Sequence, residues 1–206
     1  MVGFVGLGAM GKGMATNLLR KGFELKVYDV NSKVMEEMTS IGASRAESLA
    51  SLSSSCRNII FCLPDTHVLH KAMFGTSLKN ITSSPTTSTS KPSSSSSNDV
   101  PDNPDCITTN LKEGDILIDC GTTHPLWTQQ THKRLLEKKI GFIDAPVSGL
   151  AARAEAGTLS IMVSPVLVCN TITLTRTLYV GGRGRRNLRT GQTAIKRDGG
   201  QGNIDG

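Results

Sequence analysis

Apolar residues in this chain follow two rhythms that take turns. Val2-Gly-Phe-Val-Gly6 is a short apolar run ending in glycine, the pattern of a central parallel strand covered on both faces. Met10 to Lys21 then carries Met14, Leu18 and Leu19 at helical spacing and stops at Gly22. Leu25-Lys-Val-Tyr28 predicts a second strand closed by Asp29, and Ser32 to Ser40 predicts a helix with Val34, Met35 and Met38 on its apolar side. A short third strand at Ala43-Ser44 and a helix over Glu47 to Ser53 follow. Asn58-Ile-Ile-Phe-Cys-Leu63 is the clearest strand, ended by Pro64, and His67 to Phe74 returns as a helix. Asp115 to Asp119 predicts a strand, Trp127 to Lys139 a helix and Gly141 to Asp144 one more strand. Beyond these come a rigid polar loop, Asp144-Ala-Pro-Val-Ser148-Gly149, a small-residue stretch, and an apolar run from Leu159 to Val163. Strand and helix alternate with short βα turns, which predicts an α/β fold with a mostly parallel sheet wrapped by helices.

Two segments break the rhythm. Residues 76–105 hold ten Ser, five Thr and four Pro, too little apolar surface to offset the entropy of ordering. They read as a disordered insertion within a domain spanning 1–163. The preceding helix runs back from the carboxyl ends of the strands. The insertion is therefore expected at the opposite edge of the sheet, clear of any ligand. Residues 164–206 read as an irregular Gly/Arg-rich tail without apolar periodicity.

The tail also explains the charge. The chain of 206 residues has a formal net charge of +6, of which +5 falls in residues 164–206 and +1 in residues 1–163. A nucleic-acid footprint on the folded part is not expected. Five scattered cysteines without a C-x-x-C pair fit free thiols in a reducing compartment. His67 and His70, three apart on a helix, suit a surface or capping role rather than a metal site. Asn80-Ile-Thr82 matches a glycosylation sequon by chance, since no secretory signal precedes it. No apolar run reaches the ~20 residues of a membrane span. The expectation is a soluble cytoplasmic protein, or a mitochondrial one if the N-terminus is incomplete.

The chemistry starts at Gly6-Leu7-Gly8-Ala9-Met10-Gly11, a G-x-G-x-x-G string. It follows a predicted strand, opens a predicted helix, and precedes an acidic residue, Asp29, at the end of the next strand. Together these meet the requirements of a dinucleotide fingerprint in a Rossmann-type, doubly wound sheet. Asp29 can accept hydrogen bonds from the adenosine ribose and would repel a 2′-phosphate. Val30, Asn31, Ser32 and Lys33 follow it with no arginine, so NAD is favoured over NADP, with Lys33 the one nearby cation.

The longer string from Phe4 to Leu18, with Met10, Met14 and Asn17, resembles the N-terminal signature of the β-hydroxyacid dehydrogenases. That family includes 3-hydroxyisobutyrate dehydrogenase and is related to the NAD(P)-binding domain of 6-phosphogluconate dehydrogenase. Cys62-Leu-Pro64, Leu117-Ile-Asp-Cys-Gly-Thr122, Asp144 to Gly149 and Gly157-Thr-Leu159 fall in the family's order. The resemblance implies that Leu63 and Pro64 run beside the cofactor and that Thr122 lies near the nicotinamide. It implies further that Ser148 and Gly149 hold a substrate carboxylate through neutral donors. Three departures stand out: Leu150 where the family has a second glycine, His124 in place of an acidic residue, and Ser164-Pro165 in place of Gly-Gly. Leu150 is expected to crowd the substrate loop, and His124 to cap a helix.

The family's second domain is all-helical and carries a catalytic lysine. Gly191-Gln192-Thr-Ala-Ile-Lys196 resembles the lysine segment only in part, because the spacing is one residue too long and Gly200 stands where an Asn belongs. Lys196 therefore reads as a tail lysine and the second domain as missing, which leaves no catalytic residue assigned. Two functions stay open: an NAD-dependent oxidoreductase of small 3-hydroxy acids or their semialdehydes, impaired by that loss, and a non-catalytic NAD(P)-binding module with a basic tail. The sequence gives no indication of oligomeric state.

Overall fold

The computed structural model describes residues 1–76 and 103–163. Ser164-Pro165, Lys196 and the basic tail, like most of the insertion, lie outside the described residues.

The elements run in strict alternation: β1 (Val2–Val5), α1 (Ala9–Arg20), β2 (Leu25–Tyr28), α2 (Ser32–Ser40), β3 (Ser44–Arg45), α3 (Leu49–Ser55), β4 (Asn58–Phe61) and α4 (Thr66–Phe74). After a 3₁₀ turn at Ile107–Thr109 come β5 (Ile116–Asp119), α5 (Pro125–Leu136) and β6 (Gly141–Asp144). The six strands form one parallel sheet in the order β3-β2-β1-β4-β5-β6. The order reverses at β1, between β2 and β4, so a crevice opens there at the carboxyl ends of the strands.

The alternating directions of strand side chains divide the core into two layers. Phe4, Leu25 and Val27 pack on one face with Ala15, Met35 and Met38 from α1 and α2. Val5, Ile59, Phe61, Leu117 and Phe142 pack on the other with residues of α3, α4 and α5. Leu52 and Trp127 are fully buried there, and each large side chain of this kind contributes about 1.5–3 kcal/mol by leaving water. Trp127 meets Phe142 edge-on, with centroids 6.2 Å apart.

Three helices start with the capping chemistry their sequences encode. Asn31, Ser48 and Asp65 accept the N–H groups of Lys33, Ser51 and Val68. Helix α1 differs: its N-cap is Gly8, which has no side chain to offer.

The structure differs from the sequence pattern in four places. Ala151–Ala156 forms a sixth helix, α6, which the small-residue stretch does not predict because it lacks an apolar stripe. Burial of α6 comes instead from close approach to α1: a Cβ on Gly13 would sit 2.8 Å from the Ala154 carbonyl carbon. Within the polar loop and the final apolar run, Val147–Ser148 (β7) and Ser160–Ile161 (β8) pair antiparallel, apart from the main sheet. Leu150 is 78% exposed, so it does not crowd the loop. The insertion's last residues are ordered: Asp105 accepts the Ala50 N–H at 2.9 Å, and the next residue, Cys106, is fully buried.

Candidate dinucleotide site

The parallel register sets the geometry of the site. Tyr28, Val5, Phe61, Asp119 and Asp144 form one row across β2, β1, β4, β5 and β6. One residue further, Gly6, Cys62, Cys120 and Ala145 still donate to the neighbouring strand, at 2.8–3.0 Å. Beyond that row the chain is released into loops, and the loops enclose a cleft of about 790 Å³.

Gly6, Gly8, Ala9, Met10, Gly11, Asp29, Leu63 and Pro64 all line this cleft. Gly6 adopts φ +94°, a left-handed conformation open to glycine, beneath the Cys62 carbonyl. A Cβ on Gly11 would collide with the Gly6 carbonyl, so the helix can begin this close to the loop only without a side chain. Gly8 has open space where a Cβ would be. The first turn of α1 thus presents N–H groups without a side-chain cap or an acidic residue, the arrangement that receives a phosphate.

Leu7 behaves differently from its neighbours. Its side chain is buried in the core, and its backbone N–H donates to Asp29 Oδ2 at 2.6 Å. Asp29 Oδ1 accepts the Asn31 N–H at 2.8 Å. Each carboxylate oxygen keeps a lone pair for a ligand hydroxyl.

Thr122, Ser148 and Gly149 are not among the residues lining the cleft. Thr122 is exposed beyond the carboxyl end of β5. Ser148, also exposed, pairs with Ser160, and Gly149 turns at φ +146° against Leu159. The segment that carries them is tied to α1 by Asn17, whose Nδ2 donates to the carbonyls of Ala154 and Glu155 at 2.6 and 3.1 Å. His124 holds the N-cap position of α5 without a capping bond from its side chain, and its backbone N–H donates to Thr66 Oγ1.

Several wall residues are ones the sequence does not assign to the site. Tyr28, Cys62, Lys71, Asn103 and Asp105 all line the cleft. Register could have found both Tyr28, in the end row, and Cys62, one residue beyond it. Asn103 and Asp105 belong to the segment expected to stay clear of the site. They approach because Asp105 is held on the first turn of α3, whose Leu49 is itself a wall residue.

Under the floor, burial pushes the Cys62 thiol up to about 11, with Asp119 adding to the effect. Burial first, then Cys62, Asp119 and Asp144, pushes the Cys120 thiol up to about 12. Both sulfurs are protonated at neutral pH and act as small apolar fillers. Among the described residues no group of three His, Cys, Asp or Glu side chains could hold a metal ion. No described helix is long and apolar enough to cross a membrane.

Comparison with known proteins agrees with this geometry. The family described as the NAD binding domain of 6-phosphogluconate dehydrogenase matches residues 1–100 and 81–166. The chain is 32% identical over 162 residues to 2-(hydroxymethyl)glutarate dehydrogenase of Eubacterium barkeri, covering 79% of this chain and 44% of that protein. It is 32% identical over 165 residues to mitochondrial 3-hydroxyisobutyrate dehydrogenase of Rattus norvegicus, covering 80% of this chain and 41% of that protein. Among solved structures, Psf3 in complex with NADP+ and 2-OPP superposes with a TM-score of 0.62 at 23% identity, over 79% of this chain and 48% of that one. The chain therefore spans less than half the length of these relatives. The fingerprint, the open start of α1 and the matches agree: this chain belongs to the family of the NAD binding domain of 6-phosphogluconate dehydrogenase.

Proposed function

We propose that the chain binds NAD(H) in the β1–α1 cleft and forms the dinucleotide half of an oxidoreductase acting on small 3-hydroxy acids or their semialdehydes. The observation that carries the reading is the uncapped first turn of α1, opening on a cleft with Asp29 bonded beside the same glycine loop. The pyrophosphate fits the N–H groups of Ala9, Met10 and Gly11, with Gly8 leaving room for close approach. Asp29 accepts from the adenosine ribose with the lone pairs that Leu7 and Asn31 leave free, and its charge favours NAD over NADP. Leu63 and Pro64 close the side of the cleft. The bound nicotinamide supplies the hydride chemistry.

Thr122 and the Ser148-Gly149 turn would orient the acid through hydroxyl and backbone N–H donors, which fix a carboxylate without adding a rival charge. The two relatives, each named as a dehydrogenase of a hydroxy acid, support the class of substrate. The free thiols of Cys56, Cys62, Cys106 and Cys120 support a reducing compartment, such as the cytoplasm.

A second reading is an NAD(P)-binding module without turnover. It is favoured by the position of Thr122, Ser148 and Gly149, which are not among the residues lining the cleft. Fluorescence titration with NADH followed by an assay of NAD reduction with 3-hydroxyisobutyrate separates the two. Saturable binding with turnover supports the oxidoreductase, saturable binding alone supports the module, and no binding overturns both.

A further inference from the structure

The Ser/Thr/Pro-rich insertion re-enters the described structure through Asn103, at the rim of the cleft. The Asn103 side chain accepts the Asp105 N–H at 2.9 Å, turning the chain inward. Asp105 Oδ1 then accepts the Ala50 N–H at 2.9 Å on the first turn of α3. A half-buried carboxylate is thereby fixed in the wall on which Tyr28, Asp29 and Val30 also lie. Tyr28 registers both acids: its phenol is pushed up by burial first, then by Asp105, then by Asp29. The basic residue in the cleft wall is Lys71, on α4. Asp29 and Asp105 therefore outnumber it, and the carboxyl end of β2 faces a net negative wall.

We propose that Asp105 is a specificity-determining residue, a second carboxylate that acts with Asp29 to exclude a 2′-phosphate from the adenosine end of the cleft. The proposal rests on the dinucleotide reading of the site. A dianionic phosphate on the ribose would sit among two fixed carboxylates in a partly desolvated cleft, where like charges repel more strongly than in water. A ribose with free hydroxyls carries no such charge and can donate to the acids instead. Holding the Asp105 carboxylate on the Ala50 N–H keeps it in place, so the discrimination is built into the wall before the cofactor arrives.

The test compares dissociation constants for NADH and NADPH in the full chain and in Asp105→Asn, which keeps an oxygen for the Ala50 N–H while removing the charge. Asp105→Ser, which also retains a short acceptor, serves if the first variant does not fold. The wild-type chain is expected to prefer NADH, and loss of the Asp105 charge is expected to lower that preference about tenfold, the equivalent of ~1.4 kcal/mol. The same preference in wild type should weaken as salt screens the wall. A preference unchanged by either variant, with NADH binding intact, overturns the role of Asp105 and leaves the dinucleotide reading standing. Failure of the wild-type chain to bind either cofactor overturns that reading itself.

Discussion

The Leu7 backbone N–H donates to Asp29 Oδ2 at 2.6 Å, so the carboxylate that faces the cleft also fastens the glycine loop to the end of β2. Loop position and the proposed cofactor choice thus share one side chain. Asp29→Ala removes the acceptor of both the Leu7 and Asn31 N–H groups. We expect a loss of about 1–3 kcal/mol in urea unfolding, from two backbone donors left without their partner. In NADH and NADPH titrations, discrimination against NADPH should relax along with overall affinity. A variant with wild-type stability and an unchanged ratio would refute both roles.

Gly11→Ala tests the start of α1. The added methyl would meet the Gly6 carbonyl, a backbone atom that cannot swing away. The helix must therefore shift off the loop, and NADH affinity should fall at least about tenfold, because the phosphate donors move with it. Gly8→Ala is the control. It has open space for a methyl in the free protein, so thermal stability should stay close to wild type while NADH binding weakens. Equal binding by all three proteins would exclude α1 as the phosphate site.

Asn17→Ala tests the link between α1 and α6. Asn17 Nδ2 donates to the Ala154 and Glu155 carbonyls and to Gly13 within its own helix. Loss of these bonds should destabilise the contact by about 1–3 kcal/mol and speed amide exchange in residues 151–157 before the main sheet is affected. Uniform acceleration across β1 and β4 would point to global destabilisation instead.

Asp119 and Asp144 give the protein a pH signature. Burial raises the Asp119 carboxyl above its usual range against the Gly121 N–H and Thr123 hydroxyl, which lower it, with Asp144 adding to the rise. Burial likewise raises Asp144. Between the ordinary carboxylate range and the raised folded values, the folded chain thus holds protons that the unfolded chain has released. The stabilising contribution of these groups is fully present below the ordinary carboxylate range and is lost as pH rises through the raised folded values. Asp119→Asn removes one such group, so its stability relative to wild type should improve as pH rises from the ordinary carboxylate range, about 4, through the raised folded value. A difference that stays flat over that interval would rule out the assignment.

How far the sequence carried this picture depended on the kind of signal. Strands such as Asn58–Phe61 and Gly141–Asp144 are legible because consecutive apolar residues, Ile59 to Phe61 and Phe142-Ile143, mark parallel strands covered by helices. The glycine loop is legible because its glycines, the strand before them and Asp29 after them all meet steric or electrostatic demands at fixed spacing. Helix α6 is not, since Ala151–Ala156 has no apolar stripe and is held by the absence of a side chain at Gly13 and by the amide of Asn17. Asp105 is not either. Its proximity to Tyr28 and Asp29 depends on a cap to Ala50, 55 positions earlier, which no local pattern encodes.

The contact between Gly13 and Ala154 also limits how the molecule can be re-engineered. Residues 147–161 look like a cassette that could be exchanged for the corresponding piece of a relative to change what is recognised. Their seat, however, is cut into α1, the helix proposed to hold the phosphates, by one missing side chain and one amide. A donor segment would have to bring its own counterparts of Gly13 and Asn17, or it would lift away from α1 and leave the dinucleotide without its neighbour. Swapping the two together keeps the parts matched, and swapping either alone does not.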